Sequence, residues 1–205
     1  MNEQPPVTVF IIDDEPEVSA ALVWLLESVK INARAFQAGE DLLRELASFK
    51  APACAVLDLR MPGISGLELL QRMIDMGCRI PVLFLSAHGD VPAAVNAMQL
   101  GAIDFLQKPF NSQEFLNSVN RAITLARETY AQQLRESATQ KLLTRLSERE
   151  KDVLQHVLRG QTSKQIAKLL GISPKTVDVH RANIMRKLDV TTYPDLVNKV
   201  RGDTP

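Results

Sequence analysis

Five short apolar runs mark the first 110 residues of the chain: Val7–Ile12, Ile31–Phe36, Ala53–Leu57, Pro81–Ser86 and Ala102–Leu106. Each is rich in Val, Ile, Leu, Phe or Ala and too short for a typical helix, so each predicts a buried strand. Between them, apolar positions recur at helical spacing over Glu17–Val29, Glu40–Ser48, Leu67–Met76 and Val91–Leu100, and a fifth helix is expected after Asn111. Strand and helix thus alternate five times, the pattern of a parallel sheet covered by helices on both faces. Ser65-x-x-Glu68 and Asn111-x-x-Glu114 have the spacing of helix N-terminal caps.

The pattern changes after about residue 125. Residues 126–143 contain neither Gly nor Pro and favour helix, which predicts a semi-rigid helical linker. From residue 144 no strand pattern appears. Ser147-x-x-Glu150 and Thr162-x-x-Gln165 open two helices, Ser173-Pro174 opens a third, and a short fourth follows Tyr193-Pro194. Gly160 and Gly171 mark helix ends. The expected organisation is an α/β domain over 1–125, a linker over 126–143 and an all-α domain over 144–205.

Charge sharpens this division. Residues 1–140 carry 11 Lys/Arg against 17 Asp/Glu, and residues 141–205 carry 13 against 7, so a neutral chain is built from an acidic part and a basic part. The basic part suits a polyanion. No run is long and apolar enough to span a membrane, and "MNEQPPVTV" lacks the regions of a signal peptide. A cytoplasmic protein with no membrane partner is expected. Cys54 and Cys78 do not form a ligand cluster and read as free thiols.

Three predicted strands end on ionisable groups. The first leads to Asp13-Asp14, the third to Asp58 and the fifth to Lys108-Pro109. Ligands of open parallel sheets bind beyond the carboxyl ends of the strands, and a flavodoxin-like order 2-1-3-4-5, taken by analogy, brings these ends together. Two carboxylates at roughly 4 Å repel by about 4 kcal/mol at an effective dielectric near 20, so such a cluster needs compensation. Mg²⁺ is the natural counter-ion, with Asp13, Asp14, Asp58 and the backbone carbonyl of Arg60 as a partial oxygen shell. A carboxylate held beside Mg²⁺ and Lys108 can attack phosphorus and become an aspartyl phosphate. Asp58 is the expected nucleophile. Ser86, at the end of the fourth strand, would hydrogen-bond the new phosphoryl oxygens, and Phe105 would swing inward as Ser86 moves. A phosphatase of the haloacid dehalogenase type would need a second acid two residues after the nucleophile, where this chain has Arg60.

The basic segment "TSKQIAKLLGISPKTVDVHRANIMRKL" reads as helix–turn–helix. Ile166, Leu169 and Leu170 are expected to form the buried stripe of its first helix. Val177, Ile184 and Leu188, with His180 near them, form that of the second. The opposite face of the second helix offers Lys175, Thr176, Asp178, Val179, Ala182, Asn183 and Arg186 to a DNA major groove. Lys164, Lys168, Arg181 and Lys187 are expected to hold phosphates. Asp178 can accept a hydrogen bond from cytosine N4 or orient Arg181.

The stretches "FIIDDEP", "AVLDLRMPGISGLELL", "PVLFLSAHGD" and "GAIDFLQKPF" resemble the receiver domain of bacterial two-component response regulators, and residues 144–205 resemble the LuxR-type helix-turn-helix domain. Together they resemble the NarL/FixJ class. The resemblance implies that Asp58 accepts phosphate from a sensor histidine kinase and that Asp13 and Asp14 bind Mg²⁺. It implies that Lys108 contacts the phosphoryl group, and that Ser86 and Phe105 form the switch. Ser stands here in place of the commoner Thr at 86, and Phe where Tyr is frequent at 105. His88, near the site, has no fixed role in the family and reads as a loop residue. The implied partners are double-stranded promoter DNA, RNA polymerase and a second copy of the chain after phosphorylation. Within the class, the likeness to regulators of nitrogen-fixation genes implies an activator served by a FixL-like kinase.

Overall fold

The computed structural model describes residues 5–87 and 91–201, and the chain divides between Ala131 and Gln132 into two compact units. The first is a five-stranded sheet of β1 (Thr8–Ile12), β2 (Asn32–Phe36), β3 (Ala53–Asp58), β4 (Val82–Ser86) and β5 (Asp104–Gln107). All neighbours are parallel, in the order β2-β1-β3-β4-β5. The intervening helices are α1 (Pro16–Ser28), α2 (Gly39–Leu46), α3 (Gly66–Asp75) and α4 (Val91–Gln99), and α5 (Ser112–Leu143) follows β5.

Side chains of a strand alternate between faces, and both faces of this sheet are covered. Val9, Ile11, Cys54, Val56, Leu83 and Leu85 pack with Leu22 and Leu26 of α1 and Phe115 and Val119 of α5. Phe10, Ile12, Ala55, Leu57 and Phe84 pack on the other side with Leu42, Leu69, Met73 and Ala97. That double burial is why the strands read as unbroken apolar runs. Burial also pushes the Cys54 thiol up to about 12, which keeps it protonated and unreactive at neutral pH.

The strand bounds differ from expectation by one or two residues, and two of the differences have a visible cause. Ile31 precedes β2, because its N–H closes the turn after α1 on Leu26 O at 2.9 Å. Residues 102 and 103 precede β5: Ala102 N bonds Ala97 O at 3.0 Å and finishes α4.

The second unit is all-helical: α6 (Glu148–Leu158), α7 (Ser163–Leu170), α8 (Pro174–Lys187) and α9 (Tyr193–Arg201). Its core joins Val153, Leu154, Val157, Ile166, Ala167, Val177, Ile184, Leu188 and Leu196. Ser147 with Glu150 and Thr162 with Gln165 form capping boxes, Ser173 caps α8 through Thr176 N, and Gly171 closes α7 in the left-handed region at φ 65°. One expectation is corrected here: Leu169 is 58 % exposed, and Ala167 completes the stripe with Ile166 and Leu170. At 100° per residue, Ala167 flanks the Ile166–Leu170 line from one side, while Leu169 turns to the solvent side of the other.

Candidate functional site

The sheet order sets β1, β3, β4 and β5 side by side, so their carboxyl ends form one rim. Asp13 follows β1, Asp58 ends β3, Ser86 ends β4 and Lys108 follows β5. Lys108 N donates to Ser86 O at 2.7 Å and fixes the backbone beyond β5. From there its Nζ lies 2.7 Å from Asp13 Oδ2 and 2.7 Å from Asp58 Oδ1. The other oxygen of each acid takes a backbone donor: Glu15 N reaches Asp13 Oδ1 at 3.0 Å and Arg60 N reaches Asp58 Oδ2 at 2.8 Å. Asp13 is 1 % exposed and Asp58 7 %. Burial pushes the Lys108 pKa down, but the hydrogen bonds and charges of Asp13 and Asp58 outweigh it and hold the ammonium above its ordinary value. The lysine is therefore charged throughout the neutral range, and carboxylate oxygens of the two acids flank it.

That donor set fits a hard divalent cation. Among the described residues, however, no three His, Cys, Asp or Glu side chains are gathered as a metal-binding group. The sequence reading offset three acids with a cation, whereas in this structure Lys108 bridges two of them and Asp14 is half-buried outside that ion-paired cluster.

Ser86 is 1 % exposed at the rim. Phe105 is half-buried, its ring 6.4 Å from that of Phe84. His88 lies outside the described residues.

Gly66, at this rim, and Asp104, at the amino end of β5, carry no signal of their role in the sequence. A Cβ at Gly66 would lie 2.3 Å from the carbonyl oxygen of Asp58 and 2.9 Å from Phe84 Cε1, so the start of α3 presses on the backbone of the central acid as only glycine allows. Asp104 accepts from its neighbour Phe105 N at 3.0 Å through one oxygen, and from Ser118 Oγ and Arg121 through the other. The carboxylate thus ties the backbone of Phe105 to α5.

The second unit presents a different surface. Lys175, Thr176, Asp178, Val179, Ala182 and Arg186 are exposed along α8, and Lys164 and Lys168 are exposed on α7. Asn183, Arg181 and His180 are half-buried. Asp178 Oδ1 accepts from Ser163 Oγ at 2.6 Å, and Arg181 Nη1 reaches the same hydroxyl at 3.5 Å, so the acid and the arginine meet through Ser163.

Lys187 is placed differently from its expected phosphate role. Its Nζ lies 2.6 Å from Oε2 of Glu150, which is 4 % exposed, and joins α8 to the start of α6. The hydrogen bond from Lys187 lowers the Glu150 pKa, burial raises it, and the Ser147 N–H lowers it again, for a net shift below the ordinary 4.5. The unfolded chain therefore binds that proton more readily than the folded one. The stabilisation is present above pH 4.5 and is lost as pH falls through the lower folded value. Glu150→Gln is expected to cost about 2 kcal/mol at pH 7. The difference from wild type should shrink steadily below pH 4.5 in urea unfolding curves followed by the helical signal.

The bacterial response regulator receiver domain family matches residues 9–120, and the luxR family of bacterial regulatory proteins matches residues 144–200. The transcriptional regulatory protein TdiR of Thauera aromatica is 44 % identical over 198 residues, 96 % of this chain and 87 % of that protein. The transcriptional regulatory protein FixJ of Azorhizobium caulinodans is 42 % identical over 204 residues, covering 96 % and 92 %. The solved structure of the response regulator StyR is 39 % identical, superposes with a TM-score of 0.75, and covers 96 % of this chain and 99 % of that one. Two adjoining family matches, full-length relatives and an acid-bearing strand rim followed by a helix-turn-helix unit place the chain among the two-component response regulators of the NarL/FixJ class, as a transcriptional regulator with a receiver and a LuxR-type DNA-binding domain.

Proposed function

We propose that Asp58 is the phosphoacceptor of a phosphorylation-controlled transcription activator, with 1–125 as receiver, 126–143 as linker and 144–205 as DNA-binding domain. The observation that carries this reading is the single Lys108 ammonium 2.7 Å from both Asp13 and Asp58 at neighbouring strand ends. An Asp58 oxygen attacks the phosphorus of a phosphohistidine on the sensor kinase. The P–N bond breaks, its electron pair stays on the imidazole, and an acyl phosphate remains on Asp58. Lys108 holds positive charge against the transferring oxygens, and Asp13 keeps the lysine in place. Asp13, Asp14, Asp58 and the Arg60 carbonyl would hold Mg²⁺, which would add charge stabilisation. Ser86 donates its hydroxyl hydrogen bond to a phosphoryl oxygen, and Phe105 turns toward β4. The chain becomes modified once and is not a metabolic enzyme.

The signal leaves through α4, β5 and α5. Val91, Val95 and Met98 of α4 are 70, 50 and 48 % exposed and recur four and three residues apart, an apolar stripe suited to a second receiver. Two DNA-binding domains then read a two-fold promoter site and meet RNA polymerase there, in the cytoplasm. FixJ at 42 % and TdiR at 44 % identity stand level, so family membership does not select a gene set. Activation of nitrogen-fixation genes rests on the sequence resemblance and is tested by phosphotransfer from a FixL-like kinase.

The test of the whole reading is a gel shift on duplexes selected from a random pool, with and without acetyl phosphate and Mg²⁺. Tighter retention with the phosphodonor is expected, and equal retention overturns phosphorylation control. Lys164, Lys168, Lys175, Arg181 and Arg186 give about five phosphate contacts per domain, hence a slope of log K against log salt near −4 to −5 per domain. Lys187→Met should leave that slope unchanged while lowering stability, because its charge is engaged with Glu150.

A further inference from the structure

Along α8 three polar side chains already make a hydrogen bond within the chain. Asp178 Oδ1 accepts from Ser163 Oγ at 2.6 Å. Thr176 Oγ1 lies 2.8 Å from Ser173 Oγ, inside the helix cap. Asn183 Oδ1 accepts from Arg186 Nη2 at 3.4 Å. Between them stand two side chains with no hydrogen-bonding atoms, Val179 and Ala182, three residues apart and therefore neighbours on one face. Val179 is 54 % exposed, although the helix already buries Val177 and Ile184 on its other side.

An exposed β-branched residue at the centre of a basic face matches one feature of duplex DNA. The thymine C5-methyl is the apolar group on the base edges of the major groove, where every other recognition feature is a donor or an acceptor. Lys175 and Arg186 flank the apolar pair along the helix and match phosphates on either side. We propose that Val179 and Ala182 read thymine methyl groups in the operator half-site, while Asp178 is a positioning residue held by Ser163 and makes no base contact. This deepens the DNA-binding reading above and rests on it.

The full-length chain, treated with acetyl phosphate and Mg²⁺, is used to select a duplex from a randomised pool. Each thymine of that duplex is then replaced in turn by deoxyuridine, which removes one methyl and preserves every hydrogen bond. At one or two positions per half-site the Kd is expected to rise about three- to five-fold, the effect of one buried methyl, with the salt slope unchanged. Val179→Ala should weaken binding to the parent duplex by a similar factor and be insensitive to deoxyuridine at one of those positions. Asp178→Asn should keep the same pattern of sensitive thymines. Tolerance of deoxyuridine at every position, or a selected site without thymine, overturns methyl reading and leaves salt-dependent DNA binding standing. Absence of any duplex binding at low salt overturns both. Should Val179→Ala melt below wild type by circular dichroism, the deoxyuridine scan of the wild-type chain decides alone.

Discussion

Asp58→Asn is expected to abolish labelling by acetyl phosphate, with incorporation below one hundredth of wild type in a filter-bound assay and loss of the donor-dependent gel shift. The amide has no anionic oxygen to attack phosphorus. Its effect on folding should be far smaller. Asp13 Oδ2 and Asp58 Oδ1 each lie 2.7 Å from one Nζ, so they stand at most twice that distance apart. At about 5 Å and an effective dielectric near 20, their repulsion is of order 3 kcal/mol. The substitution removes that repulsion and the cost of burying the Asp58 charge, but also the Asp58–Lys108 attraction, about 6 kcal/mol at 2.7 Å and the same dielectric, so the net change in folding is small and Asp13 and Lys108 remain as a matched pair. A variant that cannot be labelled but unfolds at about the same urea concentration as wild type therefore separates lost chemistry from lost structure. A variant that still incorporates phosphate at the wild-type rate would move the acceptor elsewhere.

Gly66→Ala is expected to destabilise the receiver by about 3 kcal/mol and to slow labelling of the folded fraction by about 100-fold. The new methyl would sit 2.3 Å from the Asp58 carbonyl oxygen and 2.9 Å from Phe84 Cε1, and the nearer atom belongs to the backbone, so no rotamer change relieves the clash. Either α3 backs away or the end of β3 is pushed, and the second movement displaces the attacking carboxylate. Gly160→Ala is the control: its Cβ would meet nothing within 4 Å, and only its φ of 75° opposes the change, at about 1 kcal/mol. Urea midpoints and labelling rates of the two variants give the comparison. Equal behaviour of both would show that proximity to Asp58 has no consequence.

The parts of this molecule legible from its sequence are those that depend on near neighbours. Strands buried on both faces read as continuous apolar runs, and Ser147, Thr162 and Ser173 announce their helices three residues ahead. The alignment of Asp13, Asp58 and Lys108 was legible because each closes an apolar run. What escaped depends on distant partners. Lys187 reads as one more surface cation until Glu150, 37 positions earlier, is seen beneath it. The Ser163–Asp178 bond joins two helices across 15 positions, and nothing in the local pattern marks a serine at the start of α7 as its donor. Gly66 looks like part of a loop, since the oxygen it must clear belongs to a separate strand. Leu169 reads as core because hydrophobicity alone does not separate a stripe from its margin in a helix of eight residues.

The 32 residues of α5 are not equally well held. Its wholly buried side chains, Phe115, Ser118, Val119, Ala122, Ile123 and Ala126, all fall in the first half. Beyond them, until Leu142 and Leu143 touch the second core, the helix has few side-chain ties, chiefly the hydrogen bond from Tyr130 Oη to Lys50 O at 2.7 Å, and otherwise rests on backbone ladder bonds and local preference. An isolated stretch of about 15 residues is marginal as a helix in water. The turns of α5 after Tyr130 can therefore unwind and rewind while both hydrophobic cores stay closed, which makes this stretch the first part of the helix to yield under stress.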